Sequence, residues 1–583
     1  MLIFLYRCNI LHSSIVFIYR RYFPAIMTER TWDTAMRITD HIDLLYPNKE
    51  AREHAEMRRL RMRDSGSLYI KDLMIGDIKN FITLTGSDKL LALCEELSDD
   101  IPTIEYRLDC LEDYLNNPDL ADSFRKVITE LSVSLVSNDN EDVGAFYDVK
   151  QKMDELDGFL TSIAAINGIY KRIGTTLKSQ AMRGMFEFFL ALPESDDYKE
   201  IAKTLTELQG TFAKTIRSVK VGINFDANMN PDSAGLLEVG YDKIYPKGNI
   251  LEKLVYGSLK GKETFSGEEH LNSLTRHTPA DIDTALFREL TEYTNVFAKR
   301  ISEALKSYRS SFFSDIKEIE RQLDLYEGVA NFIKGVRAHG MKMCRPKILP
   351  ASERKTVLNG AYDLVFYKEM VMRDPSAVLT DKIKTNDLTL DDSARLFMVT
   401  GANNGGKTTF ARACAICQVL AQAGLFVPAE YAELSVCDNI FTHFPRDEEA
   451  GIDTSRFTNE IKDLKIIAQN VTEHSFVILN ESLQSTTPEE CLEIAKIHTE
   501  LFAAAGVRGL YVTHLTGLYK AFDEINQKSY PTRLDSLVSV AGEGDERLYK
   551  IVRQPPSGES LAMSIYKKFG ATLDDIKSGE VNG

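Results

Sequence analysis

Apolar positions along the chain recur with two different periods, and the changes of period divide the sequence into regions. From about residue 31 to 205 the apolar residues are three or four positions apart, as in residues 104–116 and 122–135, and prolines interrupt the pattern. This spacing places apolar side chains on one face of a helix. The segment is therefore predicted to be a helical region.

Over residues 218–225 the period changes to two. Alternation with polar or small residues is typical of a half-buried strand, and the apolar positions are Val219, Val221, Ile223 and Phe225. Residues 236–241 are a second strand candidate, and the segment before them is rich in turn formers, namely Asn228, Asn230, Pro231, Asp232 and Gly235. We predict a small β insertion here.

A long helix is predicted next. Thr278 and Pro279 form an N-cap and first-turn signature, apolar residues keep helical spacing from 286 to 333, and Gly340 is expected to end the helix. About sixty residues would span roughly 90 Å at 1.5 Å per residue, so we expect an arm or a bridge between domains. Gly328 and Gly335 are expected to bend or break the helix near its end.

After Pro346 predicted strands and helices alternate, which indicates an α/β domain. Residues 396–399 form an apolar strand candidate and residues 409–420 a helix candidate; between them, residues 401–408 (GANNGGKT) fit the phosphate-loop pattern G-x-x-x-x-G-K-[ST]. Glycines let the backbone approach phosphates, Lys407 can reach the β and γ oxygens, and Thr408 offers a hydroxyl to Mg²⁺. We predict a site for ATP and Mg²⁺, with Lys407 facing solvent.

Two later strand candidates end in polar residues. Residues 476–479 lead into Asn480 and Glu481, the Walker B arrangement, in which one side chain orients the Mg²⁺ shell and a second orients the attacking water. Asn480 carries no charge, so weaker metal binding is expected, and Glu481 is the candidate base. His514 follows residues 509–513 and could contact a γ-phosphate; the alternative is a structural histidine.

Charge and cysteine content add limits. The net charge of −16 argues against a protein that coats nucleic acid over its whole surface. It does not exclude a local basic groove that binds nucleic acid. The eight cysteines are scattered, which suits a reducing cytosol. Cys414 and Cys417 are expected to be packing residues, since no second cysteine pair accompanies them.

Two basic stretches are compatible with phosphate contacts on DNA, and solvated surface is the alternative for each. The first, over residues 243–262, has one glutamate against five lysines, namely Lys243, Lys247, Lys253, Lys260 and Lys262. The second consists of Lys171, Arg172, Lys178 and Arg183.

The first 26 residues are rich in apolar and aromatic side chains but are broken by Arg7, Arg20 and Arg21. No apolar run has the length of a membrane span, and no cleavage site is clear. We expect a non-native upstream extension or a disordered tail, with Met27 as the natural start.

Taken together, these motifs resemble the MutS family of DNA-binding ATPases. Residues 400–409 resemble its TGPNMGGKST loop, residues 424–429 its G-x-[FY]-V-P-A step, and residues 455–460 its STFMVEM helix. Residues 480–487 are similar to its DE…GTST segment and residues 513–514 to its TH. Upstream, residues 104–118 look like the helix that opens the family's lever region. The match covers roughly residues 70–575.

The resemblance implies a composite nucleotide site in a homodimer, in which Ser455 completes the partner's site. The implied catalytic residues are Glu481 and His514, and the implied metal ligands are Thr408 and Asn480. The implied nucleotide-binding residues are Gly401, Asn403, Gly405, Gly406, Lys407, Thr408, Thr409 and Ser455.

The chain also departs from the family pattern. It lacks room for the N-terminal mismatch-reading and connector domains, contains no Phe-x-Glu wedge motif, and shows nothing like a nuclease domain after Gly558. Asn480 stands where the family has Asp.

The predicted fold class is an α/β P-loop (ABC-type) ATPase domain joined to a mostly α-helical core or lever region with a small β clamp-like insertion. The predicted parts are a first lever segment, a clamp, a returning lever helix, and an ATPase and dimerisation domain, at residues 27–210, 211–265, 266–345 and 346–583. We expect a cytoplasmic homodimer that acts as a nucleotide-gated clamp on duplex DNA and does not bind membranes. The alternatives are a relative acting on branched DNA, recombination intermediates or stalled ribosomes, and a weakly hydrolysing ATP-gated structural clamp.

Overall fold

The structure of the protein is a computed structural model, which describes residues 42–134, 145–195, 198–199, 202–203, 205–206, 218–225, 227, 231–240, 315–402, 405–445, 456–483, 487–541 and 547–556. These residues belong to two compact units. The larger unit draws on residues 41–133, 160–199 and 317–583, and the smaller unit on residues 134–159 and 200–316. Residues 1–26 and the predicted helix start at Thr278 lie outside the described ranges.

The helices are Lys49–Asp64 (α1), Tyr69–Asp72 (α2), Ile75–Ile82 (α3), Ser87–Glu96 (α4), Ile101–Asn116 (α5), Arg125–Ser134 (α6), Ala145–Ile173 (α7), Gln180–Ala191 (α8), 315–338 (α9), Leu364–Arg373 (α10), Lys407–Gln422 (α11), Arg456–Asn470 (α12), Pro488–Ala505 (α13) and Tyr519–Gln527 (α14). A π-helical turn lies at Leu120–Phe124, and 3₁₀ turns lie at Leu192–Glu194, Ala351–Glu353 and Thr516–Leu518. Among the described residues, no helix combines the length and apolar composition that crossing a membrane requires.

The strands are Ser218–Phe225 (β1), Pro231–Gly240 (β2), Lys347–Leu349 (β3), Thr356–Ala361 (β4), Asn386–Leu390 (β5), Leu396–Gly401 (β6), Tyr431–Ser435 (β7), Ile440–His443 (β8), Phe476–Asn480 (β9), Arg508–Val512 (β10), Leu534–Ala541 (β11) and Arg547–Arg553 (β12).

Helix α5 shows how the sequence sets a helix boundary. The Asp100 carboxylate accepts a hydrogen bond from the backbone N–H of Thr103, and Pro102 occupies the first turn, where its missing N–H costs nothing. Pro118 follows the end of the helix. The buried face consists of residues at helical spacing, including Ile104, Leu108, Leu111 and Tyr114, as the apolar pattern predicts.

Helix α9 is the described part of the predicted long helix. It ends at residue 338, and Gly340 has a φ of +81°, which confirms the predicted stop. The expectation that Gly328 or Gly335 breaks the helix is wrong, because the helix continues through both positions. At Gly328 the reason for a glycine is close packing, since a Cβ there would overlap the hydroxyl of Thr83.

In the smaller unit, β1 and β2 form an antiparallel pair with Ser218 opposite Gly240 and Phe225 opposite Pro231. Strand β1 confirms the predicted bounds. Strand β2 begins at Pro231, five residues before the predicted start at Leu236. Proline is tolerated at the first residue of a strand, so Pro231, Asp232 and Gly235, which are predicted as turn formers, are part of the strand. Asn228 and Asn230 lie outside the described residues. Tyr241 lies outside the described residues.

Six of the described strands form a sheet in the order β12-β11-β6-β10-β9-β8. Strands β11, β6, β10, β9 and β8 are parallel neighbours, and β12 is antiparallel to β11. The carboxyl ends of β6, β9 and β10, which carry the predicted site residues, therefore meet at one edge of the sheet. A second sheet of four described strands has the order β3-β7-β4-β5.

Buried amides join α11 to the turn before α5. The side chain of Gln422, 1% exposed, donates to the carbonyls of Ser98 (2.8 Å) and Cys437 (2.9 Å) and accepts from the Cys437 N–H (3.0 Å). Gln418 donates to Gln422 at 2.7 Å. We call these contacts the amide seam. It joins the first helices of the larger unit to the helix that leaves the six-stranded sheet.

Candidate nucleotide-binding site

The loop between β6 and α11 has the geometry that the phosphate-loop pattern predicts. Strand β6 is buried from Leu396 to Thr400, the backbone turns at Gly401 with a φ of +122°, and Gly406 has a φ of +83° directly before α11. Glycine is the residue that adopts such angles without strain. Asn403 lies outside the described residues, and Thr409 lies in the first turn of α11.

Strand β11 packs against one side of this loop. The Ser539 hydroxyl donates to the carbonyl of Gly405 at 2.8 Å. A Cβ at Gly401 would lie 2.8 Å from the carbonyl oxygen of Ser539, and one at Gly405 would overlap its hydroxyl. Ser539 was not predicted as a site residue, because a small polar residue in an apolar strand carries no motif. The two glycines are therefore needed for packing as well as for access by a ligand.

Lys407 does not face solvent, so that expectation is wrong. The residue is 4% exposed, and its ammonium donates to the carbonyls of Gly401 (3.0 Å) and Ala402 (2.8 Å). Burial lowers the pKa of this ammonium, and the charge of Glu481 opposes the shift. The ammonium group of Lys407 thus finds its hydrogen-bond acceptors in the carbonyl groups of the loop itself.

Thr408 and Asn480 lie in direct contact. The Thr408 hydroxyl, in the first turn of α11, donates to the amide oxygen of Asn480 at the end of β9, at 2.9 Å. Oxygen ligands are the ones that Mg²⁺ prefers. The structure thus brings together the two predicted metal ligands.

Glu481 and His514 form a second contact at the same edge. His514 Nε2 lies 3.1 Å from Glu481 Oε1, and the side chains are 41% and 26% exposed. The backbone of Glu481 has a φ of +50°, and its N–H donates to the carbonyl of Val512 at 2.8 Å. A partly exposed carboxylate beside the phosphate loop can accept a proton from water.

Two further side chains near the site had no signal in the sequence. His443, at the end of β8, lies 2.7 Å from the Ser482 hydroxyl through its Nδ1. Tyr549, on β12, is 41% exposed and would lie 3.6 Å from a Cβ at Gly406. Both come from strands whose place relative to the site depends on the sheet order.

Several predicted residues are not tested by these contacts. Ser455 and the lysines at 243, 247, 253, 260 and 262 lie outside the described residues, so their roles stay predictions. In the second basic stretch, Lys171, Lys178 and Arg183 are exposed, and Arg172 pairs with Asp119 at 3.5 Å.

Cys414 and Cys417 are buried free thiols, in agreement with a packing role, and burial raises the pKa of both. Within the described ranges no cluster of His, Cys, Asp and Glu has the arrangement of a metal site; the pair proposed for Mg²⁺ is instead a hydroxyl and an amide.

Family models match two separate parts of the chain. The model described as MutS domain V matches residues 397–567, which contain the phosphate loop, Asn480, Glu481 and His514. The model described as MutS2 N-terminal domain matches residues 99–339, which contain the described helices α5 to α9.

Curated relatives are similar over longer stretches. The DNA mismatch repair protein MutS of Thermotoga neapolitana is 26% identical over 415 residues, which are 67% of this chain and 48% of the relative. The protein of the same name from Macrococcus caseolyticus is 24% identical over 454 residues, 73% of this chain and 49% of the relative. DNA mismatch repair protein MutS 2 of Halobacterium salinarum is 40% identical over 130 residues, 22% of this chain and 15% of the relative.

The chain thus spans no more than about half the length of these relatives. Its two family matches cover both the helices and the phosphate-loop sheet, and the similarity to the relatives extends across most of the chain. The resemblance in the motifs is confirmed, and the chain belongs to the MutS family.

Proposed function

We propose that this chain binds ATP with Mg²⁺ at the loop between β6 and α11 and hydrolyses it slowly. The observation that carries the proposal is the meeting of two side-chain pairs at one edge of the sheet. Thr408 lies 2.9 Å from Asn480, and Glu481 lies 3.1 Å from His514. A phosphate loop next to paired oxygen ligands and a carboxylate is the set of groups that phosphoryl transfer to water needs.

The residues present fit both groups. Gly401, Gly405 and Gly406 keep the loop free of side chains, so its backbone N–H groups can bind phosphate oxygens, and the Lys407 ammonium can exchange its two carbonyl acceptors for phosphate. Thr408 and Asn480 would hold Mg²⁺, which when bound neutralises phosphate charge. Glu481 would accept the proton of the attacking water, and His514 would hold the Glu481 carboxylate in place.

The neutral Asn480 supports a second candidate, a nucleotide-gated structural clamp that hydrolyses little. An amide oxygen binds Mg²⁺ less firmly than a carboxylate because it carries no net charge. The chain would then change state mainly by binding and releasing ATP. The two candidates differ in turnover rate and share the nucleotide site.

For the whole molecule we propose a homodimeric clamp on duplex DNA whose gap depends on the bound nucleotide. Support comes from the names of the relatives, which are DNA mismatch repair proteins, and from the exposed basic side chains at Lys171, Lys178 and Arg183. Ser455 is proposed to complete the partner's site. A relative acting on branched DNA, recombination intermediates or stalled ribosomes is the alternative, and a cytoplasmic location stays a prediction.

The nucleotide site is tested by Lys407→Ala, with Lys407→Met as a variant that keeps most of the buried stem. Both should abolish tight ATP binding while the far-ultraviolet circular dichroism spectrum stays that of the wild type. Lys520→Ala, an exposed lysine on α14, is the matched control and should bind ATP normally. An unchanged ATP affinity in both Lys407 variants would rule out this site.

The nucleic-acid target is tested by equilibrium binding of perfect, mismatched and branched duplexes at one salt concentration, with and without ATP. Replacing Lys243, Lys247, Lys260 and Lys262 by Ala should flatten the salt dependence of DNA binding. Each lost phosphate contact removes about 0.9 from the log–log slope. If the protein co-sediments with ribosomes and binds none of the duplexes, the ribosome alternative is favoured.

A further inference from the structure

Side chains from three other parts of the chain contact the end of β9 and the turn that follows it. Thr408 on α11 contacts Asn480, His514 after β10 contacts Glu481, and His443 at the end of β8 contacts Ser482. The first two contacts belong to the proposed nucleotide site. The third involves a residue that no motif identifies.

His443 and Ser482 form a buried contact. Nδ1 of His443 lies 2.7 Å from the Ser482 hydroxyl, and the two residues are 5% and 4% exposed. Strands β8 and β9 are parallel neighbours, with His443 opposite Leu479. The imidazole therefore lies beside the last residues of β9 and reaches the turn directly after them.

The backbone of this turn needs such support. Glu481 has a φ of +50° and Leu483 a φ of +70°. Left-handed backbone is unfavourable for residues other than glycine, and it persists only where the surroundings hold it. The carbonyl of Val512 holds the N–H of Glu481, and the Cys491 thiol donates to the Leu483 carbonyl. Ser482 lies between the two left-handed residues, so its hydroxyl contact holds the middle of the turn.

We propose that His443 is a positioning residue for ATP hydrolysis. Through Ser482 it keeps the turn in the conformation that presents the Glu481 carboxylate at the edge of the sheet, beside the phosphate loop. The proposal rests on the proposed ATPase function. The 2.7 Å contact joins His443 to Ser482, in the turn that carries Glu481. We therefore expect changes at His443 to affect the catalytic step more than nucleotide binding.

The test compares variants of His443 and Ser482 in steady-state ATP hydrolysis. His443→Ala and Ser482→Ala should each lower kcat about tenfold to a hundredfold, since small misplacements of a reacting group have effects of that order. The KM for ATP and the affinity for a non-hydrolysable ATP analogue should change less than about twofold, because binding energy and catalytic positioning are separable. His443→Asn, which keeps a hydrogen-bonding group near the position of Nδ1, should restore most of kcat.

A double variant and a control complete the test. The losses from His443→Ala and Ser482→Ala should not add in the double variant, because both remove one interaction. Thr442→Val is the matched control: Thr442 is the buried neighbour on β8, and its hydroxyl donates to Asp72 at 2.7 Å instead of to the turn. Thr442→Val should keep the wild-type kcat. If His443→Ala does not fold, Ser482→Ala and His443→Asn carry the measurement.

Additive losses in the double variant, or a Thr442→Val variant with the same loss of kcat, would overturn the positioning role. A wild-type kcat in folded Ser482→Ala would do the same. If the wild-type protein shows no ATP hydrolysis that depends on Lys407, the proposed function itself fails and the positioning role falls with it. Hydrolysis by the wild type with unaffected His443 variants refutes the positioning role alone.

Discussion

Asn480 decides how firmly the proposed site holds its metal ion. Its amide oxygen accepts from Thr408 at 2.9 Å, so the side chain is already oriented towards the first turn of α11. A carboxylate in the same place would add a negative charge without a change of shape. We expect Asn480→Asp to lower the Mg²⁺ concentration for half-maximal ATPase activity on the order of tenfold.

The measurement is the ATPase rate against Mg²⁺ concentration. Asn470→Asp, at the end of α12, adds the same charge away from the turn and should leave the Mg²⁺ dependence unchanged. Glu481→Gln should bind ATP and hydrolyse almost none of it. An unchanged Mg²⁺ dependence in Asn480→Asp, together with normal turnover in Glu481→Gln, would show that this turn is not the metal and water site.

Glu433 on β7 makes stability depend on pH. Hydrogen bonds from Lys347 (2.8 Å), Lys355 (2.7 Å) and Tyr431 (2.9 Å) lower the pKa of its carboxyl to about 2. Because this pKa lies below the value of about 4.3 in an unfolded chain, the stabilisation is complete above that value and is lost as the pH falls towards 2.

Glu433→Gln should therefore destabilise the protein near pH 7 and have a smaller effect near pH 3, where the wild type has already lost part of the same contribution. Urea unfolding at a series of pH values measures this difference. Lys347→Met, which removes one of the three interactions, should reduce the pH dependence in part. A Glu433→Gln variant whose unfolding midpoint runs parallel to that of the wild type over this pH range would contradict the assignment.

At the residue scale, the sequence predicts which residues form the site, but it does not predict which neighbouring side chains contact them. Gly401, Gly406, Thr408, Asn480, Glu481 and His514 are predicted from short motifs, since the chemistry of phosphate binding limits which residue types fit. The buried position of Lys407 was not predicted, because it depends on which carbonyls of the loop face its ammonium. Ser539 and His443 reach the site from strands far away in sequence, and only the sheet order shows their proximity.

At the scale of elements, helix α9 contains two glycines, and replacing each by alanine is expected to change the free energy of unfolding in opposite directions. A Cβ at Gly328 would overlap Thr83, whereas a Cβ at Gly335 would have no atom within 4 Å outside its own helix. Alanine is otherwise better than glycine in a helix by about 0.5–1 kcal/mol. Gly335→Ala should raise the free energy of unfolding by about that amount, and Gly328→Ala should lower it by about 1–3 kcal/mol through overpacking.

Thermal or urea unfolding of the two variants checks this prediction, and each is the control for the other. Equal stabilisation by both would mean that α9 does not pack closely on Thr83. Two destabilised variants would mean that Gly335 has close neighbours as well.

The periodic pattern predicts several elements of the described chain, among them α5, α11, β1, β6 and β9, because burial of one face fixes the spacing of apolar residues. It fails where a residue type has two uses. Pro231 and Gly235 are predicted as turn formers, yet they lie in β2, since proline is accepted at a strand end. Gly328 is predicted to bend or break a helix, yet the helix continues through it and the glycine allows close packing against Thr83.

At the scale of the molecule, the amide seam fixes α11 against the turn at Leu97 and Ser98. Gln422→Leu keeps the side-chain volume similar but leaves the carbonyls of Ser98 and Cys437 and the Cys437 N–H without these partners. Buried polar groups without partners cost about 1–3 kcal/mol each. We expect the free energy of unfolding to fall by about 2–4 kcal/mol, because nearby groups can partly compensate.

Gln527→Leu, at the exposed end of α14, is the control and should change stability little. The measurement is urea unfolding of both variants beside the wild type. A Gln422→Leu variant as stable as the control would show that the seam contributes nothing to the packing of α11.

The seam also bears on how the protein can be cut into pieces. A fragment that starts where strands and helices begin to alternate, at residue 346, would leave Gln422 facing water in place of the carbonyls of Leu97 and Ser98, and Gly424 without the Arg107 side chain that covers it. Such a fragment should be poorly soluble and exchange its α11 amide protons quickly. A fragment intended for nucleotide studies should therefore carry residues 42–133 as well, joined or added in trans.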